Sequence, residues 1–294
     1  MNLSIIIPHK NFKERLAALL DSIPTGEWEI IVVDDHSDEP PVELISHRDD
    51  ARLVPNPPHK HGAGAARNTG IKVAWGKWIL FADADDLFLP GAFDTVRSYL
   101  ASDADVVYFK PTSHWDGTTK PALRHTAYAA LVHEWVHCGS DWIRYRFHVT
   151  WSKLVRRELI ERHNIVCDET RVANDLVFSL KVGRLCADKI IATEETIYSV
   201  AQANPKSLSA RNAEEYFDIR LDRHIAYNQL LEAHGLRSHR MAVLRMLKKA
   251  GGIGSRKFFQ VFLLCLRTRQ PFLDHWHYLW MLARRQLFKR HCQR

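Results

Sequence analysis

Through its first 110 residues the chain alternates short runs of β-branched residues with segments of helical periodicity, and few architectures accept that order. Residues 3–7 (LSIII) read as a buried strand, 12–22 as a helix, 29–33 (EIIVV) as a second strand and 52–54 as a short third. A helix over 64–75 precedes a fourth strand at 78–82 (WILFA), then a helix over 90–100 entered through Pro90, then a fifth strand at 106–109. A strand brought back to its sheet by a helix runs parallel to the one before it. The expected fold class is therefore α/β, a mainly parallel Rossmann-like sheet with helices on both faces. Ligands of such sheets bind beyond the carboxyl ends of the strands, so the residues that follow each strand carry the information. Residues 111–150 are irregular and rich in Trp, His and Thr, 151–190 return to helix and strand, and the pattern beyond about 206 is helical.

The 294 residues suffice for an α/β core plus an appended piece. The net charge of +7 conceals a split. Residues 1–205 hold 23 Lys/Arg against 28 Asp/Glu, a net of −5, whereas 206–294 hold 18 against 6, a net of +12. A basic tail of this kind suits an anionic surface. The five cysteines (Cys138, Cys167, Cys186, Cys265, Cys292) form no CxxC pair and read as reduced thiols, which makes a cytoplasmic location the expectation. The apolar run before Pro8 is too short for a signal peptide, and residues 258–266 fall far below the roughly 20 needed to span a bilayer.

Two strands run directly into carboxylates. The second ends in Asp34-Asp35-His36-Ser37 and the fourth in Asp83-Ala84-Asp85-Asp86. Three carboxylates within four residues repel one another unless something positive offsets them, and Mg2+ or Mn2+ does so through oxygen ligands while bridging to phosphates. One such cluster is explained by turn formation and capping; two at neighbouring strand ends favour a binding site. Gly62 and Gly64 open the helix that carries Arg67, an arrangement suited to phosphate or a nucleobase carbonyl. The stretch lacks the third glycine of a dinucleotide fingerprint and follows a proline-rich loop (Pro55, Pro57, Pro58), which disfavours a nicotinamide enzyme.

IIIPHKN at 5–11, VVDDHSDE at 32–39, GAGAARNTGI at 62–71 and FADADD at 81–86 resemble, in order and separation, the signature series of glycosyltransferase family 2. TWSKLVRRELI at 150–160, VANDLVFSL at 172–180 and IYSVAQANPKSLS at 197–209 continue the resemblance, which covers about residues 1–210. It implies a GT-A fold over 1–205, with a nucleotide-binding half at 1–110 and an acceptor-binding half at 111–205, followed by a basic helical C-terminal region at 206–294. It also implies metal-dependent, inverting transfer from a nucleotide-sugar, most often a UDP-sugar, to an acceptor hydroxyl. At matching positions Pro8 would end the first strand at the nucleotide edge, and Asp35 would accept from the base. Arg67 would assist base or phosphate binding, Asp83 would contact ribose or sugar, Asp85 would ligate Mn2+ or Mg2+, and Asp175 would be the general base. Two departures stand out. Asn174 replaces the family's Glu before the catalytic Asp, and the Gln-x-x-Arg-Trp motif of processive members is absent, so one sugar per encounter is expected.

A rival lies in His133-Glu134-Trp135-Val136-His137, which fits the HExxH pattern of zinc peptidases, with Glu158 and Glu161 downstream as third ligands. With 17 histidines in the chain a chance match is expected at about the few-per-cent level, so the motif is far from decisive, and it leaves the Asp clusters unexplained. A second rival is a non-catalytic nucleotide- or glycan-binding protein of the same fold. In the tail, Phe258, Phe259, Phe262, Trp276 and Trp280 lie among basic residues. That favours a membrane-surface helix over one packed on a core, and nucleic acid is not expected. The combined expectation is a cytoplasmic enzyme of bacterial surface-polysaccharide or lipopolysaccharide synthesis, peripheral on the inner face of the membrane, using a glycan or lipid-linked acceptor.

Overall fold

A computed structural model describes residues 2–202, 214–276 and 278–279. Positions 203–209 of the expected closing element, Trp280 and Cys292 lie outside the described residues. The chain divides into two compact units, Met1–Asn204 and Pro205–Arg294.

The first unit is built on strands β1 (Leu3–His9), β2 (Trp28–Asp34), β3 (Ala51–Pro55) and β4 (Trp78–Phe81), with helices α1 (Lys13–Asp21), α2 (Val42–Ser46) and α3 (Ala63–Val73) between them. Then follow β5 (Leu87–Phe88), α4 (Ala92–Tyr99), β6 (Val106–Phe109), β7 (Thr112–Trp115), α5 (Thr126–Cys138) and α6 (Trp142–Arg146). The unit closes with β8 (Lys153–Arg156), α7 (Arg157–Arg162), α8 (Leu176–Leu185), β9 (Ile190–Thr193) and β10 (Tyr198–Gln202). The large sheet has the order β3-β2-β1-β4-β8-β6-β9. All its neighbours pair in parallel except β8, which runs antiparallel to both β4 and β6. The mainly parallel α/β fold read from the sequence is thus the fold observed.

Burial explains the order. Ile5, Ile6 and Ile7 of β1 and Ile30, Ile31, Val32 and Val33 of β2 are fully buried, as strands covered on both faces must be. Each such side chain contributes about 1.5–3 kcal/mol by leaving water. Half-exposed β3 and β9 take the edges. Helix α1 turns Leu16, Leu19 and Leu20 inward at helical spacing. Helix α3 instead buries small residues, Gly64, Ala65, Ala66 and Gly70, which brings its backbone close to the sheet. At Gly70 a Cβ would stand 2.4 Å from the Ile6 side chain, so alanine does not fit there.

A second sheet, β5-β10-β7, was not foreseen in the sequence. Its strand β10 pairs antiparallel with β5 and parallel with β7. It draws the 198–202 segment alongside Asp86 and the turn that follows β4.

The second unit contains α9 (Phe217–Ala233), α10 (Leu244–Ile253) and α11 (Ser255–Arg267), whose core is Phe217, Leu221, Ile225, Val243, Leu247, Ala250, Val261 and Cys265. The tail aromatics divide. Phe258 and Phe262 pack against this core, whereas Phe259 is 61% exposed and Trp276 68% exposed.

Candidate active site

Strands β2, β1 and β4 are adjacent and parallel, so their carboxyl ends share one edge of the sheet. His9 stands opposite Asp34 in the register, and Ile6 opposite Phe81, one residue before Ala82-Asp83. With strands spaced about 4.8 Å apart, Asp35 and Asp83 start roughly 10 Å from each other, two strands apart on that edge. Pro8 is the penultimate residue of β1, paired with Val33.

Asp35 is buried, and both of its carboxylate oxygens are engaged. Oδ1 accepts from Asn56 Nδ2 at 2.9 Å and Oδ2 accepts from the Gly62 N–H at 2.8 Å. Gly62 has φ of +90°, a conformation in which a side chain is strained, so this residue must be glycine for Asp35 to hold the start of α3. The glycine at 64 has a different reason. A Cβ there would sit 2.1 Å from the Asp168 carbonyl oxygen and 2.9 Å from Asn174 Cβ. The close approach inferred for this stretch is therefore helix against the 168–174 loop.

Arg67, one turn into α3, is 5% exposed. Its guanidinium donates to Asn174 Oδ1 at 2.8 Å and to Asp83 Oδ1 at 2.5 Å. Burial works against its charge, but Asp83 and Asp175 outweigh that and hold the guanidinium protonated. The Asn174 that departs from the family pattern is thus a ligand of Arg67. Asp175 follows as the N-cap residue of α8 (Leu176–Leu185), where its side chain makes no capping hydrogen bond. Burial raises its carboxyl above the usual carboxylate range, with Arg67 foremost among the groups that oppose the rise. It is half-buried and its side chain caps no backbone N–H, unlike the solvated capping residue that its position at a helix start suggests. Asn68 clamps the same loop, exchanging hydrogen bonds with the Cys167 carbonyl at 3.0 Å and the Cys167 N–H at 2.8 Å.

The turn after β4 is held from the second sheet. The Asp83 N–H donates to the Tyr198 hydroxyl at 2.8 Å, and Asp86 Oδ1 accepts from the Ala201 N–H at 2.7 Å. Asp86 is 1% exposed, and its Oδ2 has no hydrogen-bond partner. Burial raises its carboxyl well above the ordinary range, and Asp85 and Asp83 raise it further. Asp85 is more open; burial and then Asp83 raise it, against Arg124 and the Arg15 guanidinium 3.9 Å away. Burial and mutual repulsion thus disfavour ionising these carboxyls together. That fits an oxygen-preferring divalent ion, whose remaining ligands would be water and diphosphate oxygens. The carboxylates do not by themselves form a closed triad. Among the described residues, the groups of three ligating side chains lying within 4.8 Å of one another are Asp35/His36/His61 and His133/His137/Glu194.

The sequence assigned no role to several contributors. Asn56 sits in the proline-rich loop, Tyr198 in a strand far along the chain, and His9 at the end of β1 with both ring nitrogens buried and unpartnered. Lys153 of the Trp-x-Lys segment is fully buried; burial lowers its ammonium to about 7 while Asp175 works the other way. The HExxH stretch lies on α5, where Glu134 is buried with Leu131 and Val132. Glu158 and Glu161 pair instead with Arg162 and Arg157 on α7, so neither completes a zinc site with the two histidines.

Comparison with known proteins identifies the lineage and the fold. Residues 4–169 match Glycosyl transferase family 2. The uncharacterized glycosyltransferase YibD of Escherichia coli is 32% identical over 187 residues, 55% of this chain and 51% of that protein. The uncharacterized glycosyltransferase EpsJ of Bacillus subtilis is 30% identical over 219 residues, 70% and 62% of the two chains. The chain thus spans about half to three-fifths of the length of these two relatives. Among solved structures, Staphylococcus aureus TarS residues 1–349 in complex with UDP-GlcNAc superimposes with a TM-score of 0.63 at 20% identity, over 86% of this chain and 74% of that one. The mannosyltransferase PcManGT of Pyrobaculum calidifontis, in complex with GDP-Man and Mn2+, gives 0.56 at 16% identity over 98% and 87%. At these identities the structures establish the fold, GT-A, and the sequence match establishes the lineage: the chain belongs to glycosyl transferase family 2.

Proposed function

We propose that the chain transfers one sugar from a nucleotide-sugar, a UDP-sugar by preference, to an acceptor hydroxyl with inversion at the anomeric carbon. The observation that carries this reading is the continuous set of contacts Asp35–Gly62, α3, Arg67–Asp83 and Arg67–Asn174. It links the nucleotide end of the strand edge to Asp83 and to Asp175 through one buried guanidinium. Pro8 and Asp35 would border the base. Asp83 would meet the ribose or sugar, and Asp85, with the neighbouring turn, would hold Mn2+ or Mg2+. Bound there, the ion would neutralise charge on the departing diphosphate.

The protein's own groups do the rest. A carboxylate with a raised pKa is a better base than an ordinary one, and Asp175 is raised by its burial. It would accept the proton of the acceptor hydroxyl as that oxygen forms its bond to the anomeric carbon. The bond to the diphosphate oxygen breaks on the opposite face, and the electron pair leaves with the nucleotide. Arg67 keeps Asp83 and Asn174 in register during this step. Relatives bearing names such as poly(ribitol-phosphate) beta-glucosyltransferase and UDP-Glc:alpha-D-GlcNAc-diphosphoundecaprenol beta-1,3-glucosyltransferase support a glycan or lipid-linked acceptor in surface-polymer synthesis.

An anionic membrane surface is the proposed partner of the second unit. No helix among the described residues is long and apolar enough to cross a bilayer. On α11, however, Phe259, Leu263 and Leu266 form an exposed stripe at helical spacing, with Arg256 and Arg267 exposed at its ends. The test of the transfer reaction is Asp175→Asn. Turnover of a UDP-sugar should fall by about 10²–10⁴-fold while calorimetry shows donor binding retained. Turnover within a few-fold of wild type removes the assignment.

A further inference from the structure

His133 and His137 lie one turn apart on α5, so their rings share a face of the helix, with centroids 4.3 Å apart. Glu194, just beyond β9, meets both. Its Oε1 stands 2.9 Å from His133 Nδ1 and 3.6 Å from His137 Nε2. Ligand atoms around a tetrahedral ion with bonds of about 2.0–2.1 Å sit roughly 3.3 Å from each other, and the two observed separations bracket that value. We propose that His133, His137 and Glu194 form a zinc-binding site, with water in the fourth position, that shares no residue with the carboxylate turn after β4.

The donor set supports zinc over the ions suited to the turn. Two imidazoles and one carboxylate match a borderline cation, whereas Mg2+ and Mn2+ prefer oxygen alone. Lys110 pairs with Glu194 Oε2 at 2.5 Å, which orients the carboxylate with Oε1 toward the imidazoles, as an outer-shell partner does. All three side chains are partly accessible, which leaves a route for the ion. The second group, Asp35/His36/His61, is less able to bind. Both Asp35 oxygens are already hydrogen-bonded, and His36 Nε2 contacts the Lys60 carbonyl at 2.9 Å. Because Glu134 is buried beside Leu131 and Val132, the site is one that holds a metal and ties α5 to the end of β9, and not the water-activating arrangement of a peptidase. It stands independently of the transfer reaction.

The test uses the full chain, stripped with a chelator and titrated calorimetrically with Zn2+ alone. One equivalent should be taken up, and an excess of Mn2+ or Mg2+ should not displace it. His137→Ala and Glu194→Gln should each weaken uptake by at least the roughly tenfold that loss of even an outer-shell partner costs, while His61→Ala leaves it unchanged. His137 is half exposed, so its alanine variant should unfold at the wild-type temperature without metal and lose the zinc-induced rise. Zinc-edge absorption should show nitrogen and oxygen ligands. No saturable uptake, equal affinity in His137→Ala, loss in His61→Ala, or a sulfur ligand from neighbouring Cys138 would each overturn the site.

Discussion

Arg67→Met tests the central link of the candidate site. Methionine keeps the unbranched stem but removes a guanidinium bonded to Asp83 and Asn174. Two charge-assisted hydrogen bonds of about 1.5–3 kcal/mol each are lost, for a gross cost of roughly 3–6 kcal/mol. The Asp83 side chain is 27% exposed, so water takes up part of its charge, and the net loss should be about 2–4 kcal/mol. For a unit of this size that corresponds to roughly 5–15 °C in Tm. A second effect has a definite sign. Asp175 acts as a base only when ionised, and Arg67 is foremost among the groups that ease its ionisation. Without the guanidinium its pKa rises further, so the acid limb of kcat/KM should move to higher pH. Its folded pKa then lies still further above the unfolded value of about 3.9, and stability is lost as pH rises through the folded pKa. The variant's deficit should therefore be smaller at pH 4 than at pH 8. Urea unfolding at both pH values and a pH–rate profile with a UDP-sugar read out the two effects. A loss below about 1 kcal/mol together with an unmoved acid limb would refute the coupling of Asp83, Arg67 and Asp175.

Gly64→Ala should destabilise by about 1–3 kcal/mol in thermal unfolding and depress turnover, because its Cβ would collide with the Asp168 carbonyl and displace the loop leading to Asp175; an unchanged Tm would count against that packing. Asp86→Asn keeps an oxygen for the Ala201 N–H without a buried charge. Wild-type Asp86, raised well above the ordinary range, supports the fold while protonated and loses that contribution as pH rises, so the variant should melt higher than wild type at pH 8 and alike near pH 4. Equal melting at both pH values would contradict an uncompensated carboxyl. In the second unit, Phe259→Glu combined with Leu263→Glu should abolish co-sedimentation with anionic vesicles without lowering Tm, since both residues are exposed; retained binding would remove the membrane reading.

Periodicity and composition alone determine the layered α/β plan of the first unit. Strands β1 and β2 are continuous apolar runs, which only a sheet covered on both faces can accommodate, and the helical patterns between them force parallel pairing. The same text places Asp35 and Asp83–Asp86 at strand ends, because a residue's position just after a strand is a local property. The contribution of β10 is not local. Tyr198 and Ala201 lie 115 residues from Asp83 and Asp86, and nothing in the period of a short strand says which turn it will brace.

Partnership was equally hidden where one residue could serve several neighbours. Arg67 read as a ligand for phosphate or a base, and its contacts to Asp83 and Asn174 were not legible in the sequence. The HExxH stretch suggested Glu158 or Glu161 as a third ligand, but the fold brings up Glu194. Sequence thus determines which chemistry a residue offers and, through hydrophobic period, which face it presents. Only tertiary structure decides which distant groups it meets, because a hydrogen bond requires two atoms about 3 Å apart and aligned, across elements that periodicity does not relate.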